Sequence, residues 1–347
     1  MSKPLIIAVH GSGQHTKAGF AEQISTPLDE ASKAFASLGG SFSNHFDIEV
    51  VEYNSIFDRI RTQLAEDASA LSAKFPKFNQ VPGLIQKITD LGGSFSQDNF
   101  FYTHLLDVLL YKSLYGQEVQ VRVAKQILQL MTEHVGRPIY FMAHSLGTAV
   151  LHDTLHKLYS NQFSQAEQAE ISQQLPYRSL NANEFPIAAV IMLANVSRLI
   201  GAGQNPYQSK VKPGTDGICQ RFINCRHVLD PFTIIKRFEP PAGWDNSPFV
   251  AFRQVVIQGV GQVNVHEIEH YLQDPKVSQA IFKVLYNGRF NPTPTESAAV
   301  AAAHQTVQGN FSRLVTSLKE AEVGISFNPA GDDVIAIDRE DIDDIIK

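Results

Sequence analysis

The sequence predicts an α/β protein built on a mostly parallel central sheet flanked by helices, and three observations predict it. Short apolar runs alternate with stretches of helical spacing, the pattern of strands joined by crossover helices. At 347 residues, with 44% apolar and 18% charged side chains, the chain can bury a sizeable core. In FMAHSLGTAVLHDTL (Phe141 to Leu155), an apolar run passes into helical spacing with almost no room to turn.

The expected strands are Leu5–Val9, Ile48–Tyr53, Ile139–Ala143, Ala188–Ala194, Arg221–Val228 and Arg253–Gly259. Between the second and third lies an unusually long interval whose spacing predicts helices over Ile56–Lys74, Leu105–Tyr115 and Gln117–His134. The stretch 75–101 mixes Pro, Gly and aromatic residues, so 57–118 reads as a helical cap inserted into a domain spanning 1–287. Its apolar side chains, among them Phe75, Phe78, Phe95, Phe100 and Phe101, suit a lid over an apolar pocket, or simply cap helices packed on the sheet. Residues 288–347 turn Pro- and Thr-rich, then Ala-rich, then acidic, and form a C-terminal appendage.

Charge and composition narrow the function classes. The formal charge is −6, and residues 331–347 hold seven Asp/Glu against two Lys/Arg, so the rest is nearly neutral and no basic footprint invites nucleic acid. The interspersed Val334, Ile335, Ile337 and Ile342 fit a sheet edge or a docking segment. The opening MSKPLIIAVHGSG lacks a signal peptide's long apolar core, and no apolar run approaches the ~20 residues of a membrane span, so a cytoplasmic protein is expected. Cys219 and Cys225 exclude a disulfide framework and read as small core residues. No H-E-x-x-H occurs, and the nearest metal-like grouping, His152, Asp153 and His156, reads as a polar helix face.

The junction at Ser145 carries the chemistry. A strand ending in a serine that heads a helix must reverse within about one residue, which forces that serine into a sparsely allowed conformation. The residues two before and two after must be small, and they are Ala143 and Gly147. Val150, Leu151, Leu155 and Leu158 then share one helix side, as packing on a sheet requires. Ser145 therefore stands above the sheet at a helix N-terminus, where developing negative charge is favoured.

Ala143-His144-Ser145-Leu146-Gly147 resembles the nucleophile elbow G-x-S-x-G of the α/β-hydrolase superfamily, with Ala143 in place of the first glycine. The resemblance covers roughly residues 3–286 as a strand-and-loop plan. It implies a base to take the serine proton and an acid to orient that base, in chain order Ser, Asp or Glu, His. Asp230, in the loop after Arg221–Val228, is the candidate acid; with Pro231 behind it, it also reads as a helix-capping aspartate. His266, on the loop before EIEHYL, is the candidate base, with His270 inside that helix as the alternative. The resemblance also implies an oxyanion hole from the backbone N–H of Leu146 and of the H-G-x loop after the first strand, Ser12 first and Gly13 second. His10 is expected to support that loop and His144 to pack beside the elbow.

What the resemblance implies is a serine hydrolase of the esterase or lipase type, acting on an acyl ester through an acyl-enzyme, without cofactor or metal. Thioesterase and acyltransferase chemistry would use the same triad, and a non-catalytic scaffold is the reading from a different class. Lipid contact would be transient, without stable membrane insertion.

Overall fold

The computed structural model describes residues 2–63, 107, 108, 110–173, 176–200, 205–234, 236–240, 244, 251–259 and 264–303. Its frame is one sheet of strands β1 (Leu5–Val9), β2 (Asp47–Val51), β3 (Ile139–His144), β4 (Ile187–Leu193), β5 (Cys219–His227) and β6 (Ala251–Ile257). They lie in the order β2-β1-β3-β4-β5-β6, and every neighbouring pair is parallel. The helices are α1 (Lys17–Lys33), α2 (Gly116–Glu133), α3 (Leu146–Ser160), α4 (Gln165–Ile171), α5 (Ser197–Ile200), α6 (Pro231–Ile234), α7 (Ile268–Gln273), α8 (Pro275–Leu285) and α9 (Pro294–Ala303). A further helical stretch spans 54–63, and a π-helical turn, Tyr111–Tyr115, runs directly into α2.

Parallel strands need crossovers, and crossovers lay helices on both faces, so central strands must be apolar on both sides. LIIAV of β1 and IYFMAH of β3 are accordingly buried at every position. Alternation along each strand then selects the layer. Leu5, Ile7, Val9 and Phe141 face a core completed by Val123, Ile127 and Met131 of α2 and Val150, Leu151 and Leu155 of α3. Ile6, Ala8 and Met142 face the opposite core, filled by Phe20, Ile24 and Leu28 of α1 and by Ile281 and Phe282 of α8.

Connectivity creates the crevice. The chain leaves β1 through α1 on one face to reach β2, then returns past β1 through α2 on the other face to reach β3. Strand order therefore reverses between β1 and β3, and the loops at their carboxyl ends diverge. This is an α/β fold, an all-parallel six-stranded sheet with helices on both faces.

Each expected strand is present, shifted at its ends by a residue or two. The informative shift is at Tyr53: pairing ends at Val51, and Tyr53 lies beyond the strand, fully buried beneath the loop after β1. The expected cap falls largely on 64–106, and most of the appendage on 304–347, both outside the described residues. The part of the appendage that is described packs on the body. Phe290 is buried against Phe35 and Phe282, and Glu296 accepts from Ala36 N while closing a capping box with Thr293. Cys219 and Cys225 are free and buried. Among the described residues no helix is long and apolar enough to cross a membrane.

One contact locks α3 to the sheet. A Cβ on Gly147 would overlap the carbonyl oxygens of Val9 and His10, which are backbone atoms and cannot swing aside. Gly147→Ala is therefore expected to cost about 3 kcal/mol or more, or to prevent folding. Ala143→Gly, in the interior of β3, is expected to cost only about 1 kcal/mol. Urea unfolding midpoints check both.

Candidate active site

The site begins with the turn between β3 and α3. β3 ends at His144 and α3 begins at Leu146, so Ser145 alone makes the reversal, at φ 52° and ψ −129°. Such a conformation costs about 1–3 kcal/mol and persists only where its surroundings hold it. Ser145 N donates to Leu193 O at 3.1 Å, and Ser145 O accepts from Thr148 N at 2.8 Å and from Thr148 Oγ1 at 2.6 Å. Thr148 Oγ1 in turn accepts from Val196 N at 3.0 Å, which binds the elbow to the end of β4.

Asp230 follows β5 and is fully buried. Its two oxygens divide the work: Oδ1 accepts from Phe232 N at 3.0 Å at the start of α6, and Oδ2 accepts from His266 Nδ1 at 2.8 Å. The capping aspartate and the aspartate that orients a histidine are one residue. Oδ2 accepts a second bond, from the Tyr271 hydroxyl at 2.7 Å, and that hydroxyl accepts from His227 N at 3.0 Å. A buried carboxylate needs such donors, because unpaired it would carry the full desolvation cost.

His266 sits on the loop before α7, 2% exposed, with Nε2 2.7 Å from Ser145 Oγ. A carboxylate can only accept, so Nδ1 carries the proton and Nε2 presents its lone pair to the serine hydroxyl. The backbone of His266 is held on both sides: N donates to Asn264 Oδ1 at 3.1 Å, and O accepts from His144 Nε2 at 2.6 Å. Phe232 covers the ring at 4.5 Å between centroids. His270, the alternative base, lies within α7 with its ring edge-on to His227 at 5.2 Å. The structure thus brings Ser145, Asp230 and His266 together.

The loop after β1 lies against Ser145. A Cβ on Gly11 would come within 3.0 Å of Ser145 Cβ, so a side chain there would crowd the elbow. Gly11 O accepts from His10 Nδ1 at 2.7 Å and, as the longer branch of a shared proton whose nearer acceptor is His10 O at 2.7 Å, from the Tyr53 hydroxyl at 3.2 Å. In a trans peptide the N–H points opposite the C=O, so these two donors orient the Ser12 N–H away from themselves. Gly13, at φ 102°, spends its own N–H on Asp107 Oδ2 at 3.2 Å. Among the described residues the N–H groups of Ser12 and Leu146 have no acceptor, the latter because a first-turn amide has no partner within its helix. Of the two expected loop donors, Ser12 is the one left uncommitted.

His10 is fully buried, stacked on Tyr53 at 4.3 Å, and burial together with neighbouring His15 lowers its pKa to about 3. Burial likewise lowers His15, His156 and His227. The grouping at His152 is a hydrogen-bonded chain: Nδ1 meets Asp153 Oδ1 at 3.1 Å, Nε2 meets Ser209 Oγ at 2.8 Å, and Tyr111 donates to Asp153 Oδ2 at 2.9 Å. Among the described residues no three His, Cys, Asp or Glu side chains are grouped to hold a metal.

Sequence reasoning missed Tyr53, Asp107 and Tyr271. Tyr271 lies five residues past His266 in an ordinary helical pattern, and Asp107 resembles a solvated helix charge. Tyr53 carried one usable signal, an aromatic at the carboxyl end of a strand beside β1.

No protein-family model matches the chain, and no curated protein matches it. Among solved structures it is similar to a novel cutinase-like protein from Cryptococcus sp., with 11% identity and a TM-score of 0.34, over 84% of this chain and 97% of that one. What the site can do is therefore read from its own side chains.

Tyr271→Phe strands one acceptor position of a buried carboxylate and one buried backbone N–H, and is expected to cost about 2 kcal/mol of unfolding free energy. The second expectation concerns pH. His10 has a folded pKa of about 3 against 6.5 unfolded, so the native state binds fewer protons between those values. Its contribution is complete above pH 6.5 and lost as pH falls, by about 1.4 kcal/mol per pH unit. His10→Asn should flatten the acid side of the stability curve by one proton, read from denaturant unfolding at stepped pH.

Proposed function

We propose that this chain is a serine hydrolase that cleaves carboxylic esters of acyl substrates through Ser145, His266 and Asp230. The observation that carries the reading is the unbroken pair of hydrogen bonds from Ser145 Oγ to His266 Nε2 (2.7 Å) and from His266 Nδ1 to Asp230 Oδ2 (2.8 Å). The three residues come from separate loops at the carboxyl edge of the sheet, so a merely structural contact would have no reason to assemble this order of nucleophile, base and acid.

A serine hydroxyl is a weak nucleophile near neutral pH, and the Nε2 lone pair removes that weakness by taking its proton as Oγ attacks the ester carbonyl carbon. The C=O electron pair moves to oxygen, and that oxyanion is met by the N–H groups of Leu146 and Ser12, with the N-terminus of α3 adding its dipole. The imidazolium, stabilised by Asp230, then returns the proton to the departing alkoxide. An alcohol leaves and the acyl group stays on Ser145. Water repeats the sequence, giving a carboxylic acid and free serine. Tyr271 holds Asp230 in place, so the imidazole keeps its tautomer through both halves.

A fluorophosphonate probe should label Ser145 and leave Ser145→Ala unlabelled. Nitrophenyl esters from acetate to palmitate, with matching thioesters, would rank acyl length and leaving group. His266→Ala should lower kcat by about 10⁴-fold or more, while His270→Ala keeps most of it. Labelling elsewhere, or full turnover without His266, would overturn the reading.

A further inference from the structure

Two ionised side chains meet under the loop after β1, and neither belongs to the triad. Arg61 is 4% exposed and Asp107 is 1% exposed. One guanidinium nitrogen of Arg61 donates to Asp107 Oδ1, and another donates to Asp58. The second carboxylate oxygen of Asp107 accepts the Gly13 N–H. Arg61 and Asp107 are distant in sequence and stand on the two flanks of the long interval between β2 and β3.

A buried ion pair is a poor device for stability, since the desolvation of two charges offsets most of their attraction. Its value lies in direction, and here the direction is given to a peptide. The unit joining Ser12 to Gly13 is held at both ends: its N–H donates to Asp107, and its C=O accepts from His15 Nε2 at 3.2 Å. The preceding unit is held only at its carbonyl, by His10 and Tyr53. With the 12–13 unit fixed, the Gly13 N–H is turned to Asp107, while the Ser12 N–H has no acceptor among the described residues and can face the nucleophile.

We propose that Asp107, held by Arg61, is a positioning residue of the oxyanion hole: it withdraws the Gly13 amide and thereby aims the Ser12 N–H at the oxyanion. This rests on the hydrolase reading above and adds that the hole is set from both flanks of the insertion rather than by the β1 loop alone. The groups facing Asp107 are Arg61, Asp58, Tyr53 and the Gly13 amide. Burial raises its carboxyl to about 6, against the pull of Arg61 and Gly13, which is the cost of holding an acceptor in so dry a place.

The test combines Arg61→Met with Asp107→Leu, which replaces the pair by apolar bulk and removes the Gly13 acceptor without leaving a lone buried charge. On a nitrophenyl ester, kcat should fall at least about tenfold, toward the ~10²-fold of a lost oxyanion donor. KM should stay in place, and the Ki of a trifluoromethyl ketone, which forms the tetrahedral adduct, should rise by the same factor as kcat/KM falls. Asp107→Asn keeps an acceptor oxygen and should recover most of the rate. Should the double variant fail to fold, Asp107→Glu decides: it retains the charge, moves the acceptor by one methylene and should show the same split. A wild type that neither turns over esters nor takes the probe sinks the hydrolase reading and this inference with it. An active wild type whose Asp107 variants keep kcat, or lose it with ketone affinity unchanged, sinks this inference alone.

Discussion

The structure depends on a reversal of the chain within one residue. Ser145 can sit at φ 52° only because the peptides around it are tied to β4 and because α3 approaches β1 closely enough that Gly147 has no room for a Cβ. That approach fixes three things together. It sets the axis of α3 against the sheet, it raises the serine above the strand ends, and it brings the β1 loop to the nucleophile. Strain of this kind is retained where the surrounding packing over-determines it.

Around the elbow, many buried polar atoms are engaged in hydrogen bonds. Asp230 distributes its oxygens between a helix start, a histidine and a tyrosine, and the peptides of residues 11–13 are held by His10, Tyr53, His15 and Asp107. In so dry a setting a satisfied network is rigid, because each lost bond would strand a desolvated group. Among the described residues the atoms left without a partner include His10 Nε2 and Ser12 Oγ, and two backbone amides. The amides of Ser12 and Leu146 belong to the two loops that meet at Ser145, and under the proposed hydrolase reading they would be the preorganised donors to an anion formed there.

Histidines divide by environment. His10 is kept neutral by burial and serves as a fixed donor to Gly11 O, whereas His266 bridges the Asp230 carboxylate and the Ser145 hydroxyl. Both are buried and belong to the same loop cluster at the carboxyl edge of the sheet. One braces the loop after β1, and the other stands between a carboxylate and a hydroxyl.

The sequence by itself determined the strands, their alternation with helical stretches and the tight turn at Ser145, because each is written in local periodicity and in the small residues flanking Ser145. It also marked Asp230 and His266 as candidates, since loops after strands carry distinct turn and breaker residues. It left His266 and His270 as rivals, and left Asp230 with two readings, because residues four apart on a helix and two oxygens on one carboxylate differ only in where they point. Tertiary structure places His266 against Ser145 and His270 against His227, and gives each oxygen of Asp230 its own donors. It alone revealed Tyr53, Arg61, Asp107 and Tyr271, whose partners lie dozens of residues away: direction in space follows from packing between distant segments, and no local pattern encodes it.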